Sequence, residues 1–226
     1  MELTQFDGLR EIQDRISSRL VQFDTDISSQ LFDFLTSTYE TSHGHAIKSI
    51  QKYVDVQLAF SSVKQDVLER AIQNEFTGLT LNERLEKRRG DLILKMKEEV
   101  TRGLHQGDTY GTVAKRVKNV LEGDSIKARR IVRTEAHRVR EQAVINVAKE
   151  SQDAGVQMSK TWNTVGDERV RTQHRRMDGK TIPVNEDFVM PDGVKGPGPG
   201  MMGAPQHDVN DRCFLTYEIV EIKDVA

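Results

Sequence analysis

Asp167, Arg171 and His174 follow one another at intervals of four and then three within residues 162–180, a run that also carries Trp162, the chain's only tryptophan. On a short helix that spacing puts the three polar groups on one face, with Arg171 placed to fork onto the Asp167 carboxylate. The residue types suit acid–base chemistry: His174 as general base, Asp167 or Glu135 as its orienting carboxylate, Arg171 as an anion clamp. A nucleophile is missing from that set. Cys213 adjoins Arg212, which would lower its pKa, but it opens a strand, where cysteine more often serves as a small buried hydrophobe. The chain has no Walker-type glycine loop, H-E-x-x-H pair or dinucleotide fingerprint. The expectation is therefore no catalytic residue.

Metal binding is the second chemistry these residues allow. His174, His207, Asp211 and Cys213 are ligand types that suit zinc, and the last three are close enough in sequence to share a site. The paired cysteines that would mark zinc from sequence are absent, because Cys213 is the chain's only cysteine. Hydrogen-bonded histidines and a core cysteine are expected, with zinc as the alternative. His43 and His45 flank Gly44 with no cysteine or carboxylate cluster nearby in sequence, and are read as an exposed helix connection. Arg84, Lys87, Arg88 and Arg89, and again Lys127, Arg129, Arg130 and Arg133, could neutralise DNA phosphates. Glutamates are interspersed in the first cluster and no aromatic residues interleave for base stacking, so both are read as solvated helix faces with no nucleic-acid-binding residue assigned.

The elements that must position these groups are helices first and strands last. Leu9, Ile12, Ile16, Leu20, Phe23, Ile27, Leu31, Phe34 and Leu35 advance by threes and fours, predicting an amphipathic helix to about Tyr39. Further helices are expected over 46–58, from Ser61 or Ser62 to Phe76, and from Thr80 or Asn82 to Leu104, with a break allowed at Arg88-Arg89-Gly90. Residues 108–121, with Val113, Val117, Val120 and Leu121 inward, should form a compact helix that Gly123 ends. The next helix, to Ala154, carries a stripe including Ile126, Val139, Ala143 and Val147. Within it, Glu135 finds Arg138 three residues on and is read as half of a structural ion pair.

Gly155 changes the period. Val156, Met158, Lys160 and Trp162 alternate with polar residues as a half-buried strand does. Met177-Asp178-Gly179 reads as a turn with Gly179 at positive φ, followed by a short extended piece at Thr181–Val184. The Gly/Pro-rich stretch 187–205 reads as a long irregular loop, and 213–222 as a final strand pairing with the Trp162 strand or with 181–184. The fold class is α+β: a predominantly helical region, residues 1–123, then a small mixed α+β domain, residues 124–226, with a few-stranded sheet and the long loop.

Composition sets outer limits. The 226 residues hold 36% hydrophobic residues, enough for a packed core, and 33 basic against 35 acidic side chains leave a net charge of −2. Any nucleic-acid contact must come from a local patch. A lone cysteine excludes an internal disulfide, and neither a signal-like N-terminus nor a membrane-length apolar run is present, so a reducing cytoplasm or a particle assembled there is expected.

Taken in order, the Trp162 strand, the D-x-R-V-R-x-x-H run, the Met-Asp-Gly turn, the Gly/Pro loop and the terminal Arg212-Cys213 resemble the phage head morphogenesis family, the minor head proteins typified by the F protein of phage Mu. The resemblance covers roughly residues 125–220 and includes Arg133-Thr134-Glu135, which is similar to the R-T-E helix preceding the family's tryptophan strand. The family ends its motif N-C-R-C, and here Asp211 replaces the first cysteine. The resemblance implies a structural, non-enzymatic protein inside the capsid near the portal. It implies the portal protein and capsid or scaffold proteins as partners in procapsid assembly, contact with packaged or exiting DNA, no membrane, and host cytoplasm during assembly. Its motif maps onto Arg133, Glu135, Trp162, Asp167, Arg171, His174, Asp178, Gly179 and Cys213, of which Trp162, Asp167, Arg171, His174 and Cys213 are expected to form the folding nucleus of the C-terminal domain. A zinc-stabilised DNA-binding module and a toxin-type enzyme domain are the alternatives.

Overall fold

The computed structural model describes residues 2–54, 58, 60, 63, 65–73 and 79–223. By internal contacts the chain forms two compact units: Met1–Phe32 with Thr80–Arg129, and Asp33–Leu79 with Arg130–Ala226. Helices come first, α1 (Glu2–Gln51), α2 (Gln65–Gln73), α3 (Leu81–His105) and α4 (Tyr110–Asp153), and a small antiparallel sheet comes last, so the class is α+β.

In the first unit, α3 starts where Thr80 and Glu83 form a reciprocal cap. The Glu83 amide donates to the Thr80 hydroxyl (3.3 Å), and the Thr80 amide donates to the Glu83 carboxylate (2.7 Å). Leu81, Leu85, Leu92, Met96 and Val100 are buried at helical intervals. The helix runs unbroken through Arg88-Arg89-Gly90, and Arg88 pairs with Asp124 of α4 with both side chains largely buried. One arginine of the first basic cluster is therefore already neutralised. The side chains of Leu9, Ile12, Ile16, Leu20, Phe23 and Ile27 lie outside the described residues, as do Ser61, Ser62 and Phe76.

Several boundaries differ from the sequence reading. α1 continues through His43-Gly44-His45 to Gln51, so no connection interrupts it there, and residues 46–51 of the separate helix expected over 46–58 are its last turns. His43 is buried and stacks on Tyr39, ring centroids 6.0 Å apart. α4 likewise runs through Gly123, where a helix end was expected. Helical glycine costs only about 1 kcal/mol relative to alanine, which the neighbouring turns supply. Phe34, Leu121 and Ile126, counted among the inward residues, are 49%, 40% and 60% exposed.

In the second unit Gly155 (φ 93°) ends α4 and turns the chain into β1 (Val156–Thr164). β1 is the centre of a three-stranded antiparallel sheet, flanked by β2 (Thr181–Pro183) and β5 (Cys213–Ile222), with Trp162 opposite Leu215 and Thr164 opposite Cys213. Inward residues of β1 alternate as expected, and they include Lys160. The stretch 187–205 is less irregular than expected. It holds a two-stranded hairpin, β3 (Phe188–Val189) with β4 (Lys195–Gly196), turned at Gly193 (φ 88°). Two apolar clusters hold the unit. Ala46, Ile50 and Val54 meet Val147, Ala148, Val156 and Met158, while Trp162 gathers Met177, Phe188, Met190, Met202, Cys213 and Leu215.

Candidate functional site

The motif residues converge around Trp162. Its indole is fully buried and meets His174 edge-on (centroids 5.5 Å, 83°) and Phe188 likewise (5.3 Å, 79°). Two backbone bonds fix the following turn to it: the Trp162 amide donates to the Lys180 carbonyl (2.9 Å), and the Gly179 amide donates to the Trp162 carbonyl (2.8 Å). Gly179 has φ 76°, as its place in the turn requires, and Asp178 accepts the Thr164 amide at 2.6 Å. Asp178 and Gly179 thus splice the turn onto the end of β1.

The expected common face of Asp167, Arg171 and His174 does not form. Only Thr172–Arg175 are helical, in the single turn α5, and Arg171 precedes it in extended conformation (φ −63°, ψ 146°). Gly166 at φ 72° and the Asp167 carboxylate, which accepts the Arg169 amide (3.1 Å), give the stretch a turn conformation instead. Asp167 pairs with Arg212, and Arg171 donates to the carbonyls of His207 (3.1 Å) and Val209. Arg171 therefore anchors the far end of the Gly/Pro loop rather than an anion.

His174 sits at the centre of a buried polar cluster. Its Nδ1 is 3.1 Å from Asp211 Oδ1 and 3.2 Å from Cys213 Sγ, and its Nε2 is 3.2 Å from Nδ1 of His207, whose ring it stacks against. His207, in the short helix α6 (Pro205–Asp208), reaches Asp192 Oδ2 with its Nε2 at 2.9 Å. Asp211 further accepts the amides of Arg212 (2.6 Å), Cys213 (3.1 Å) and Gly200 (3.0 Å). His174, Asp211 and Cys213 offer ligand atoms that all lie within 4.8 Å of one another, so among the described residues this trio is placed to hold a metal.

The electrostatics follow from burial and these contacts. Burial pushes the Cys213 thiol up, and the Asp211 charge adds to it. Burial would also raise Asp211, but the hydrogen bond and charge of His174, with His137 beside it, outweigh that and hold its carboxyl below the usual range. The His207 hydrogen bond lowers Asp192. His137, on α4, is lowered by burial.

On α4, Glu135 and Arg138 form the pair read from the sequence: Arg138 Nε and Nη2 donate to Glu135 Oε2 at 3.0 and 2.8 Å, both side chains buried. Arg138 also donates to the Ala71 and Ile72 carbonyls near the end of α2. Arg133 is exposed, whereas its neighbour Thr134 is buried and accepts the Asn210 amide at 3.2 Å. Sequence reasoning missed Thr134, Asp192 and Asp208. The Asp208 carboxylate is fully buried and accepts the Met202 and Ala204 amides at 2.8 and 3.0 Å, and burial raises its pKa. The Pro191-Asp192-Gly193 turn is legible in sequence. Its histidine partner, 15 residues on, is not.

Comparison with known proteins gives this geometry a family. Residues 94–216 match the family described as Phage Mu protein F like protein. Along 219 residues the chain is 32% identical to minor head protein GP7 of Bacillus phage SPP1, covering 96% of this chain and 70% of that protein. The chain belongs to the Phage Mu protein F like family. This is the family of phage minor head proteins that the ordered motif resembles, and the match takes in Glu135, Trp162, His174 and Cys213. A second relative is NAD(+)--arginine ADP-ribosyltransferase EFV of Enterococcus faecalis, 28% identical along 173 residues, 76% of this chain but 35% of that protein. The chain thus spans about a third of the transferase's length. No solved structure matches the chain. Among the described residues no helix is long and apolar enough to cross a membrane.

Proposed function

We propose that the protein acts in phage head morphogenesis as a structural, non-enzymatic minor head protein, inside the capsid near the portal. The observation that carries this is the identity to minor head protein GP7, which extends along 96% of the chain rather than stopping at the motif. Its partners on this reading are the portal protein and the capsid or scaffold proteins, met in the host cytoplasm while the procapsid assembles. The histidine cluster supports a structural role, since His174 and His207 are 1% and 2% exposed and their ring nitrogens face each other, Asp192, Asp211 and Cys213 rather than solvent. Trp162, Asp178, Gly179, Arg171 and His174 then serve to fasten a hairpin-bearing loop onto the sheet.

The test is assembly. Tagged protein expressed with the head genes of its phage should co-purify with portal protein, and procapsids made without it should lack it while portal incorporation or infectivity falls. Procapsids of unchanged composition and infectivity in its absence would refute the role. Transfer of ADP-ribose by the purified chain, lost on His174→Ala, would refute the non-enzymatic part.

A further inference from the structure

The His174 cluster holds more lone pairs than its protons can separate. Asp192 is a carboxylate and only accepts, so the His207 proton lies on Nε2, which faces it at 2.9 Å. A neutral His207 then presents a bare Nδ1 to His174 Nε2, which must carry the proton across their 3.2 Å contact. His174 Nδ1 is left bare, facing a carboxylate oxygen at 3.1 Å and a sulfur at 3.2 Å. Asp211 already accepts three backbone amides, and the thiol proton can serve one contact but not both. Buried lone pairs this close require a positive charge between them.

We propose that His174 Nδ1, Asp211 Oδ1 and Cys213 Sγ bind a zinc ion, with Cys213 as thiolate. Zinc–nitrogen and zinc–oxygen bonds of about 2.0–2.2 Å and a zinc–sulfur bond of about 2.3 Å put tetrahedral donors roughly 3.3–3.6 Å apart. The two contacts of His174 Nδ1 are a few tenths of an ångström short of that, so an ion between them requires the donors to move apart by that amount. The mix of imidazole, carboxylate and thiolate suits zinc better than calcium or magnesium, which take oxygen. The chain from His174 through His207 to Asp192 is the outer hydrogen bonding that fixes the tautomer of a metal-bound imidazole. The Trp162 indole N–H has no hydrogen-bond partner among the described residues, and Trp162 packs in the same cluster as Cys213.

His137 stands beside the set. Its Nε2 is buried with no hydrogen-bond partner among the described residues and lies 4.0 Å from Asp211 Oδ2. A groove of about 1150 Å³ has His137, Asp211 and Cys213 among its lining residues. Metal binding at the cluster is independent of the proposed place in the head, because it concerns what the cluster holds and not what the protein assembles with.

The experiment is metal analysis of the full chain, purified without a histidine tag, followed by chelation and reloading with Co²⁺. Stoichiometric zinc and a Co²⁺–thiolate charge-transfer band are expected, the band disappearing in Cys213→Ser. Asp211→Asn should lose metal affinity, and His207→Gln should weaken it about 10- to 100-fold while keeping the band. A folded wild type with no zinc, no band and a melting temperature indifferent to zinc or chelator would overturn the site in favour of a doubly protonated His174. Zinc retained in full by Cys213→Ser would overturn it too. If Cys213→Ser fails to fold, the band in wild type decides alone: present, it supports the thiolate ligand, and absent, it excludes it.

Discussion

Arg138 holds Glu135 one helical turn back and, with the same guanidinium, donates to the two carbonyls near the end of α2, those of Ala71 and Ile72. One buried charge pair thereby satisfies part of a helix terminus. Arg138→Ala should destabilise the chain by about 3–5 kcal/mol, since it strands both a buried carboxylate and the carbonyls. Arg70→Ala, which breaks a pair with Asp66 in which both side chains are mostly exposed, should cost less than about 1 kcal/mol. Urea titration of both variants checks the contrast, and equal midpoints would mean that Glu135 is not buried as a charge.

Trp162 is where sheet, turn and loop meet, and its removal takes the shared wall from His174 and Phe188 at once. Trp162→Ala should cost about 3–5 kcal/mol. Lys195→Ala, exposed on the hairpin, should stay within about 0.5 kcal/mol. Thermal melts of the two are the measurement, and a Trp162→Ala protein that melts like wild type would remove the folding nucleus from the motif.

The sequence carried the strand period around Trp162, the Gly179 turn and the Glu135–Arg138 pair because each is a local pattern of alternation, positive φ or helical spacing. It did not carry the partners of Asp167 and Arg171. Their four-residue interval looks helical, and Gly166 together with an aspartate turn overrides it. The hairpin inside 187–205 was hidden because its two strands are two residues each, too short for a period. Convergence of His174 with Asp211 and Cys213 spans separations of 37 and 39 residues and depends on the β1–β5 register. Ligand types were legible there, and distances were not.

Glycine at 123 was read as a stop and is instead mid-helix, with nothing within 4 Å of an added Cβ. Gly123→Ala should therefore stabilise the protein by about 0.5–1 kcal/mol. Gly196→Ala should do the opposite, by about 1–3 kcal/mol, because its Cβ would fall 2.7 Å from the Met201 carbonyl oxygen and the Met202 Cα. Differential scanning calorimetry reads both signs. A fall in melting temperature for Gly123→Ala would show that the helix does break there.

Lys160 is fully buried on the inward face of β1, its ammonium donating to the Pro197 carbonyl at 2.9 Å and lying 5.4 Å from the centre of the Phe188 ring. Burial lowers its pKa from 10.5 to about 8, with Lys149 pushing the same way and Asp187 and Glu186 pulling back. The folded pKa is below the unfolded one, so between about 8 and 10.5 the unfolded chain binds more protons and this side chain's contribution to stability rises with pH. Below that window both states are protonated, and the cost of burying the charge is constant. Lys160→Met removes the titration but leaves the Pro197 carbonyl without its donor. The stability of wild type relative to Lys160→Met should therefore climb across the window, by up to about 3 kcal/mol. Chemical denaturation of the pair at several pH values measures the difference directly, cancelling the tyrosines and other lysines that titrate in both. A difference that stays flat across the window would mean that Lys160 keeps its proton in the fold, held by the Asp187 and Glu186 charges more strongly than burial opposes it.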